Sequence, residues 1–154
     1  MANLYADTSA LVKRYAAEVG SAWLTALVDP ASGHDVFSHQ ITAVEMIAAL
    51  YLKARTGAIT PADAQRADAV FRLDWQRQYQ ILEVSTPVIE RAMQLVRQHG
   101  LRGYDAVHVA AALELDRDLR ADGSTPLIFI SADQDQLRAA SAHGLAVDDP
   151  NAHP

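Results

Sequence analysis

Short apolar runs alternate with longer stretches of helical periodicity along the chain. Five apolar runs predict strands, at residues 3–6, 36–38, 79–84, 127–130 and 145–147. Seven stretches with apolar residues every three or four positions predict helices, at residues 9–17, 20–28, 41–55, 61–77, 88–99, 103–120 and 136–143. Because strands and helices alternate, we expect an α/β fold with a mainly parallel sheet.

Local signals support several of these boundaries. Thr60, Pro61 and Asp63 have the order of an N-cap, a first helical residue and a capping-box acid. Gly57 and Gly100 follow the ends of two predicted helices, as glycine often does. The mixed charges of the helix at 61–77, including Asp74, are typical of a solvated face.

Composition limits the class of protein. The chain has 154 residues, half of them hydrophobic, which predicts one globular domain at 1–150 and a short C-terminal tail at 151–154. It contains no cysteine, which excludes disulfides, thiolate metal sites and cysteine nucleophiles. No signal segment or membrane-spanning run is evident, so we expect a cytoplasmic protein. The net charge of −6 argues mildly against nucleic-acid binding through overall charge.

Four acids lie where carboxylates are unusual. Asp7 and Asp133 follow predicted strands, whose carboxyl ends share one edge in a parallel sheet. Glu45 and Asp105 lie in apolar helices, with no lysine or arginine one turn from Glu45. Simpler roles remain open: Asp7 can cap a helix, Asp105 can favour a helix start, and Glu45 can point outward.

Convergence of these acids would require a cation. Four carboxylates cannot all stay charged at close range unless a positive charge lies among them. A hard divalent ion such as Mg²⁺ or Mn²⁺ prefers oxygen ligands, and it can activate water for attack on a phosphate. The chain lacks a glycine-rich phosphate loop, a Gly-x-Ser-x-Gly motif and a His-x-x-x-His pair. His108 is interpreted as a packed or surface histidine.

Four segments together resemble the PIN-domain ribonucleases, and most closely the VapC-type toxins of bacterial type II toxin–antitoxin pairs. The segments are Asp7-Thr-Ser-Ala-Leu-Val-Lys13, Thr42-Ala-Val-Glu45, Leu101-Arg-Gly-Tyr-Asp-Ala-Val-His-Val-Ala-Ala-Ala112 and Phe129-Ile-Ser-Ala-Asp133. Each is weak alone, but they occur in the family's order over nearly the whole chain. The resemblance implies a three-layer α/β/α sandwich around a mainly parallel sheet of about four to five strands.

The resemblance also implies a function. Asp7, Glu45, Asp105 and Asp133 match the acidic quartet that holds one or two Mg²⁺ or Mn²⁺ ions, and Ser9 matches a supporting hydroxyl. Asp135 is an alternative fourth acid. The family cleaves single-stranded or looped RNA to a 3′-hydroxyl and a 5′-phosphate. Its toxins form homodimers and are silenced by a cognate antitoxin. The resemblance thus implies three partners for this chain: an RNA substrate (tRNA, rRNA or mRNA), a cognate antitoxin and a second copy.

Two other functions remain open at this stage. The first is a nuclease of the same fold that acts on DNA, or in RNA processing without a toxin role. The second is a catalytically silent protein-binding module. Five basic residues near the motifs are interpreted either as a phosphate-binding rim or as ordinary surface charge: Lys13, Arg14, Lys53, Arg55 and Arg102.

Overall fold

The computed structural model describes residues 1–154 and contains one five-stranded parallel sheet. The strands are β1 (Asn3–Ala6), β2 (Asp35–His39), β3 (Gln80–Leu82), β4 (Leu127–Ile130) and β5 (Ala146–Asp148). The helices are α1 (Thr8–Tyr15), α2 (Ser21–Leu27), α3 (Thr42–Arg55), α4 (Pro61–Arg77), α5 (Thr86–His99), α6 (Gly103–Ala121) and α7 (Gln134–Ala142). The predicted α/β class and alternation are confirmed, and every strand pair is parallel.

The sheet has the strand order β3-β2-β1-β4-β5, so the strand order reverses at β1. The strands β2 and β3 lie on one side of β1, and β4 and β5 lie on the other. Ligands of open α/β sheets bind outside the carboxyl ends of strands where the order reverses. This topology therefore makes the carboxyl ends of β1 and β4 the expected location of a site.

Alternate residues of the central strands face two separate cores. Tyr5 and Phe129 belong to a core with α5, α6 and α7, whereas Leu4 and Ile130 belong to a core with α1 to α4. Helices thus cover both faces of the sheet, which is the predicted three-layer sandwich. No helix combines the length and the apolar character needed to cross a bilayer.

One charged residue of α4 differs from the interpretation as a solvated face. Asp74 is buried and is contacted by the Tyr15 hydroxyl and the Arg14 guanidinium. It lies three residues after Phe71, on the buried face of α4. The prediction of a solvent-facing Asp74 is therefore wrong, because the helical period places it inward.

The C-terminal residues pack against the first two helices. Lys13 Nζ donates a hydrogen bond to Asn151 Oδ1 at 3.0 Å, and the His153 and Trp23 rings stack with centroids 4.0 Å apart. A side chain at Gly20, whose φ is +81°, would collide with the Pro150 carbonyl oxygen. Glycine at this position thus allows the C-terminal segment to approach α2 closely.

Candidate functional site

Asp7 occupies the carboxyl end of β1 and is only 1% exposed. Its carboxylate caps α1 by accepting a hydrogen bond from the Ala10 amide at 3.0 Å, so the capping role is present. It also accepts hydrogen bonds from the Ser9 and Ser131 hydroxyls at 2.8 and 3.0 Å. Burial raises the pKa of Asp7 despite these donors and the nearby His108. Capping of α1 does not by itself require the Asp7 carboxylate to be buried so deeply, so a further role for Asp7 is expected.

Asp105 approaches Asp7 from the first turn of α6. It does not cap α6, whose N-cap is Arg102, and it remains half-buried. The Gln136 side-chain amide joins the two acids, because Nε2 lies 3.0 Å from Asp7 Oδ2 and 3.2 Å from Asp105 Oδ1. Burial raises the pKa of Asp105, and the negative charges of Asp133 and Asp7 raise it further. The two acids thus form one electrostatic cluster.

Glu45 lies in the first turn of α3 with 24% of its side chain exposed. Its Oε1 accepts hydrogen bonds from the Thr8 hydroxyl at 2.9 Å and from His108 Nε2 at 2.6 Å. Burial alone would raise the pKa of Glu45. The hydrogen bond and the charge of His108, together with the hydrogen bond from Thr8, outweigh burial and lower the pKa of Glu45. Glu45 is therefore held ionised at neutral pH by partners from outside its own helix.

Behind Glu45, a buried chain of hydrogen bonds continues into the sheet. The Tyr5 hydroxyl lies 2.8 Å from His108 Nδ1. Burial and then the negative charges of Asp7 and Glu45 raise the pKa of Tyr5 well above its usual value, so the phenol keeps its proton. Tyr5 and Glu45 thus contact the two ring nitrogens of His108 from opposite sides, which fixes the orientation of the imidazole.

Of the two candidate fourth acids, Asp133 lies closer to the cluster. It caps α7 through hydrogen bonds from the Asp135 and Gln136 amides, and its charge raises the pKa of Asp105. Asp135 is exposed and forms an ion pair with Arg138. The structure thus brings Asp7, Glu45, Asp105 and Asp133 to one edge of the sheet and leaves Asp135 at the surface.

Sequence reasoning missed two side chains that complete this arrangement. His108 was interpreted as a packed or surface residue, and it is packed, but it is also the partner of Glu45. Gln136 was not recognised at all. His108 lies one turn after Asp105, and Gln136 lies three residues after Asp133, so helical spacing from two predicted acids was the available signal.

Replacing His108 tests its contribution. His108→Phe would keep an aromatic ring of similar size but leave Glu45 without its donor. Side chains that orient a metal ligand typically contribute about 10- to 100-fold to metal affinity, so for a divalent ion held by Glu45 we expect Mn²⁺ affinity to fall by that range. Metal titration measures the loss, with His99→Phe at an exposed position as control. An unchanged Mn²⁺ affinity would contradict the role.

The donor set fits a hard divalent cation, although the side chains are not arranged as a finished coordination shell. No three His, Asp or Glu side chains converge closely enough to hold an ion as they stand. However, all four acids offer oxygen ligands of the kind that Mg²⁺ and Mn²⁺ prefer. In addition, the Oε1 atom of Gln136 is buried without a hydrogen-bond partner beside Asp7 and Asp105. The residues present therefore fit a cation that approaches through Asp7 and Asp105.

The five basic residues proposed as a phosphate-binding rim divide into two groups. Lys13 and Lys53 both pair with Glu18, and Arg14 binds Asp74 and the Val28 carbonyl, so these three have structural contacts. The other two, Arg55 and Arg102, are exposed. The intramolecular contacts of the first three favour a structural role for them, and Arg102 lines the cavity beside Glu45 and Asp105.

A cavity of about 400 Å³ opens beside the acids and is lined by Glu45, Asp105, Arg102, Gly103 and Tyr104. Tyr104 is 64% exposed at its edge. A larger open cleft of about 750 Å³ lies between α1 and α2, but its lining includes Asp29 and no second acid. The smaller cavity is thus the better candidate for a metal-dependent site.

Comparisons with known proteins agree with this fold. The family model for the PIN domain matches residues 4–142. The ribonuclease VapC45 of Mycobacterium tuberculosis is 34% identical over 110 residues, which cover 71% of this chain and 74% of that protein.

Two solved structures show the same fold. A toxin–antitoxin complex from Klebsiella pneumoniae matches with a TM-score of 0.62 and 17% identity, covering 97% of this chain and 98% of the other. VapC20 of M. tuberculosis, described as a toxin that cleaves the sarcin–ricin loop, matches with a TM-score of 0.59 and 19% identity, covering 98% and 99%. The chain belongs to the PIN-domain family and is a relative of its VapC ribonucleases.

Proposed function

We propose that the protein is a Mg²⁺- or Mn²⁺-dependent endoribonuclease that acts as the toxin of a toxin–antitoxin pair. The observation that carries this proposal is the approach of Asp7 and Asp105 to one buried amide at the switch point of the sheet. The relationship to VapC45, which is named a ribonuclease, supports RNA as the substrate. The proposed site of action is the cytoplasm, where tRNA, rRNA and mRNA act together in translation.

In the proposed reaction, Asp7 and Asp105 are the main metal ligands. Glu45 and Asp133 complete the shell or orient the attacking water. When bound, the cation lowers the pKa of a water ligand and offsets negative charge on the phosphate. The water oxygen bonds to phosphorus, the bond from phosphorus to the 3′-oxygen breaks, and the products are a 3′-hydroxyl and a 5′-phosphate.

Four side chains support the proposed ligands. Ser9 and Ser131 hold Asp7 by hydrogen bonds. His108 and Thr8 hold Glu45, which is thus positioned to accept a hydrogen bond from water.

Cleavage of a mixed pool of tRNA and rRNA fragments tests the activity. The purified protein is incubated with Mn²⁺, Mg²⁺ or EDTA, beside Asp105→Ala prepared identically. We expect discrete cuts that need metal and are absent with the variant. Cuts that persist with Asp105→Ala would identify a contaminating ribonuclease. Metal-dependent cutting of DNA alone would favour the other nuclease function, and no cutting without any metal binding would favour the binding module.

The exposed side chains beside the acids are suited to unpaired RNA. Arg102 can contact a phosphate, and the exposed Tyr104 ring offers a surface for base stacking, which contributes about 1–3 kcal/mol per base in single-strand binders. We therefore expect Tyr104→Ala to raise the KM for a cleaved oligonucleotide by roughly tenfold with a smaller change in kcat. Tyr104→Phe is the matched control, because it keeps the ring. Equal KM values for the two variants would contradict a stacking role.

Metal binding is expected to stabilise the fold in a pH-dependent manner. Because burial raises the pKa of Asp7 and Asp105, their contribution to the metal-free fold is greatest below their unfolded pKa of about 4 and declines as pH rises through the raised values. Mn²⁺ binds the ionised carboxylates, so its stabilising effect grows over the same range. At a hundredfold excess over Kd we expect Tm to rise by roughly 5–10 °C at pH 7.5 and by less at pH 5.

Thermal melts with Mn²⁺ and with EDTA at both pH values measure this effect. Asp7→Asn is expected to reduce the Tm difference strongly, since it removes one ionised ligand. An equal Tm rise at both pH values, or an unchanged rise in Asp7→Asn, would show that Mn²⁺ binds elsewhere.

The proposed partners are a cognate antitoxin and a second copy of the chain. Helices α3 and α4 pack together and expose apolar side chains that a partner could cover, namely Val44, Leu52, Val70 and Leu73. The match to a toxin–antitoxin complex supports an antitoxin for this chain. An antitoxin-like reading frame directly upstream of the gene would favour the toxin role over RNA processing.

A further inference from the structure

Gln136 has an unusual position for a glutamine in the first turn of a helix. Its side chain is 2% exposed and its amide nitrogen bridges Asp7 and Asp105, the two acids with raised pKa. The two hydrogen-bond distances, 3.0 and 3.2 Å, place Nε2 between carboxylates that belong to different elements. In the metal-free protein, the Gln136 amide group therefore donates hydrogen bonds to both acids at once.

The local sequence would normally predict another role for this side chain. Asp133 caps α7 and Gln136 is its third helical residue, the spacing of a capping box. In a capping box the glutamine would accept a hydrogen bond from the Asp133 amide. Here that amide donates to the Ser131 hydroxyl at 3.1 Å instead. Ser131 thus leaves Gln136 free to point into the acidic site.

The other half of the Gln136 amide has no hydrogen-bond partner. Oε1 is fully buried, and an unsatisfied buried polar atom costs about 1–3 kcal/mol. The observed amide orientation is therefore held only by the two hydrogen bonds from Nε2. Both are made to carboxylates that a cation would engage, so metal binding removes the reason for this orientation.

The spacing around Nε2 is also compatible with a metal ligand. Octahedral Mg²⁺ binds oxygen at about 2.0–2.1 Å, which separates adjacent ligand oxygens by about 3 Å. Nε2 lies at this separation from one oxygen of Asp7 and one of Asp105. A half-turn of the amide about its last side-chain bond exchanges Nε2 with Oε1 and so places an oxygen at that point.

We propose that Gln136 is a ligand-switching residue of the metal centre. In the metal-free protein its N–H group bridges Asp7 and Asp105, and in the metal-bound protein its amide is turned so that Oε1 is a further oxygen ligand. This inference rests on the proposed metal-dependent function, and it adds a residue that the four-acid site does not contain. The carbonyl oxygen adds a ligand without adding negative charge to a site that already has four acids.

Metal binding to Gln136→Met tests this role directly. Methionine has a similar length and shape but neither amide atom. We expect Mn²⁺ affinity, measured by electron paramagnetic resonance of free Mn²⁺, to fall roughly tenfold. Gln134→Met, the same change at an exposed position of the same helix turn, is expected to bind Mn²⁺ like the unmodified protein. Equal or tighter binding by Gln136→Met would overturn the proposal, because it would mean that the amide only competes with the cation.

A second measurement needs no substitution. In ¹⁵N-labelled unmodified protein, the Gln136 side-chain NH₂ protons are assigned through bonds and followed during titration with diamagnetic Mg²⁺. We expect them to move upfield as their hydrogen bonds to the carboxylates are lost. Unchanged shifts at saturating Mg²⁺ would overturn the switch while leaving the metal site intact. If the unmodified protein binds neither Mn²⁺ nor Mg²⁺, the proposed function fails as well.

Discussion

Asp7→Asn is expected to lower metal-dependent RNA cleavage by at least about a thousandfold, equivalent to roughly 4 kcal/mol of transition-state stabilisation. The substitution preserves the shape of the side chain but removes the negative charge that would hold the cation. No neighbouring acid can replace it, because Asp7 alone lies at the carboxyl end of β1 with its carboxylate held by Ser9, Ser131 and Gln136. Cleavage rates at saturating Mn²⁺ measure the loss.

The fold should tolerate this change. Because burial raises the pKa of Asp7, the ionised form is disfavoured in the metal-free protein, and a neutral side chain relieves that cost. We therefore expect the Tm of Asp7→Asn in EDTA to equal or exceed that of the unmodified protein. Asp135→Asn is the control, since Asp135 is exposed and paired with Arg138, and its rate should stay within about twofold. More than a tenth of normal activity in Asp7→Asn would refute the assignment.

The sequence was sufficient to predict where the first acids would lie. Asp7 and Asp133 follow apolar runs that form β1 and β4, and the carboxyl ends of parallel strands share an edge. The sequence could not show that β1 and β4 are neighbours, because strand order depends on how the helices pack on the two faces. That order is what brings Asp7 beside Ser131 across 124 residues of chain.

The partners of the acids were harder to predict than the acids. Glu45 was judged to lack a basic partner because only its own helix was considered, whereas His108 reaches it from α6 across 63 residues. Gln136 escaped notice, and its capping-box spacing from Asp133 would by itself indicate only a structural role. Only the competing hydrogen bond between Ser131 and the Asp133 amide directs it toward the acids. Such contacts depend on tertiary packing, which local patterns do not describe.

Asp74 was a different kind of error, since the sequence contained the information to avoid it. Positions 64, 67, 71, 74 and 78 follow one face of a helix, and that face includes the buried Ala64, Ala67 and Phe71. The acidic character of Asp74 suggested solvent exposure, but its position on this face predicts burial. A buried aspartate must have partners, and this requirement has a measurable consequence.

Asp74→Ala is expected to destabilise the fold by about 3 kcal/mol, because removal of one partner from a buried ion pair leaves the other without compensation. The Asp74 carboxylate accepts hydrogen bonds from the Tyr15 hydroxyl and the Gln78 amide, both at 2.8 Å, and pairs with Arg14 at 3.3 Å. Burial raises the pKa of Tyr15, and it raises the pKa of Tyr79, which lies 2.5 Å from the Tyr15 hydroxyl, to about 12. Both phenols therefore keep their protons at neutral pH. In Asp74→Ala, Tyr79 cannot ionise to give the Tyr15 hydroxyl a charged acceptor in place of the lost carboxylate.

Denaturant and thermal unfolding measure this loss, which corresponds to a fall in Tm of roughly 10 °C for a chain of this size. Asp118→Ala provides the control, since Asp118 has a side chain that is 65% exposed and pairs with Arg117 at the surface, where such pairs contribute about 0–1 kcal/mol. A similar small change for both variants would mean that Arg14 and Tyr15 find other partners or water.

Because Asp74 lies in the core of α1 to α4 and away from the acids, Asp74→Ala should keep its metal-dependent cleavage at temperatures below its own Tm. Asp7→Asn should show the opposite combination, a stable fold without cleavage, and the two variants together separate what holds the protein folded from what makes it a nuclease.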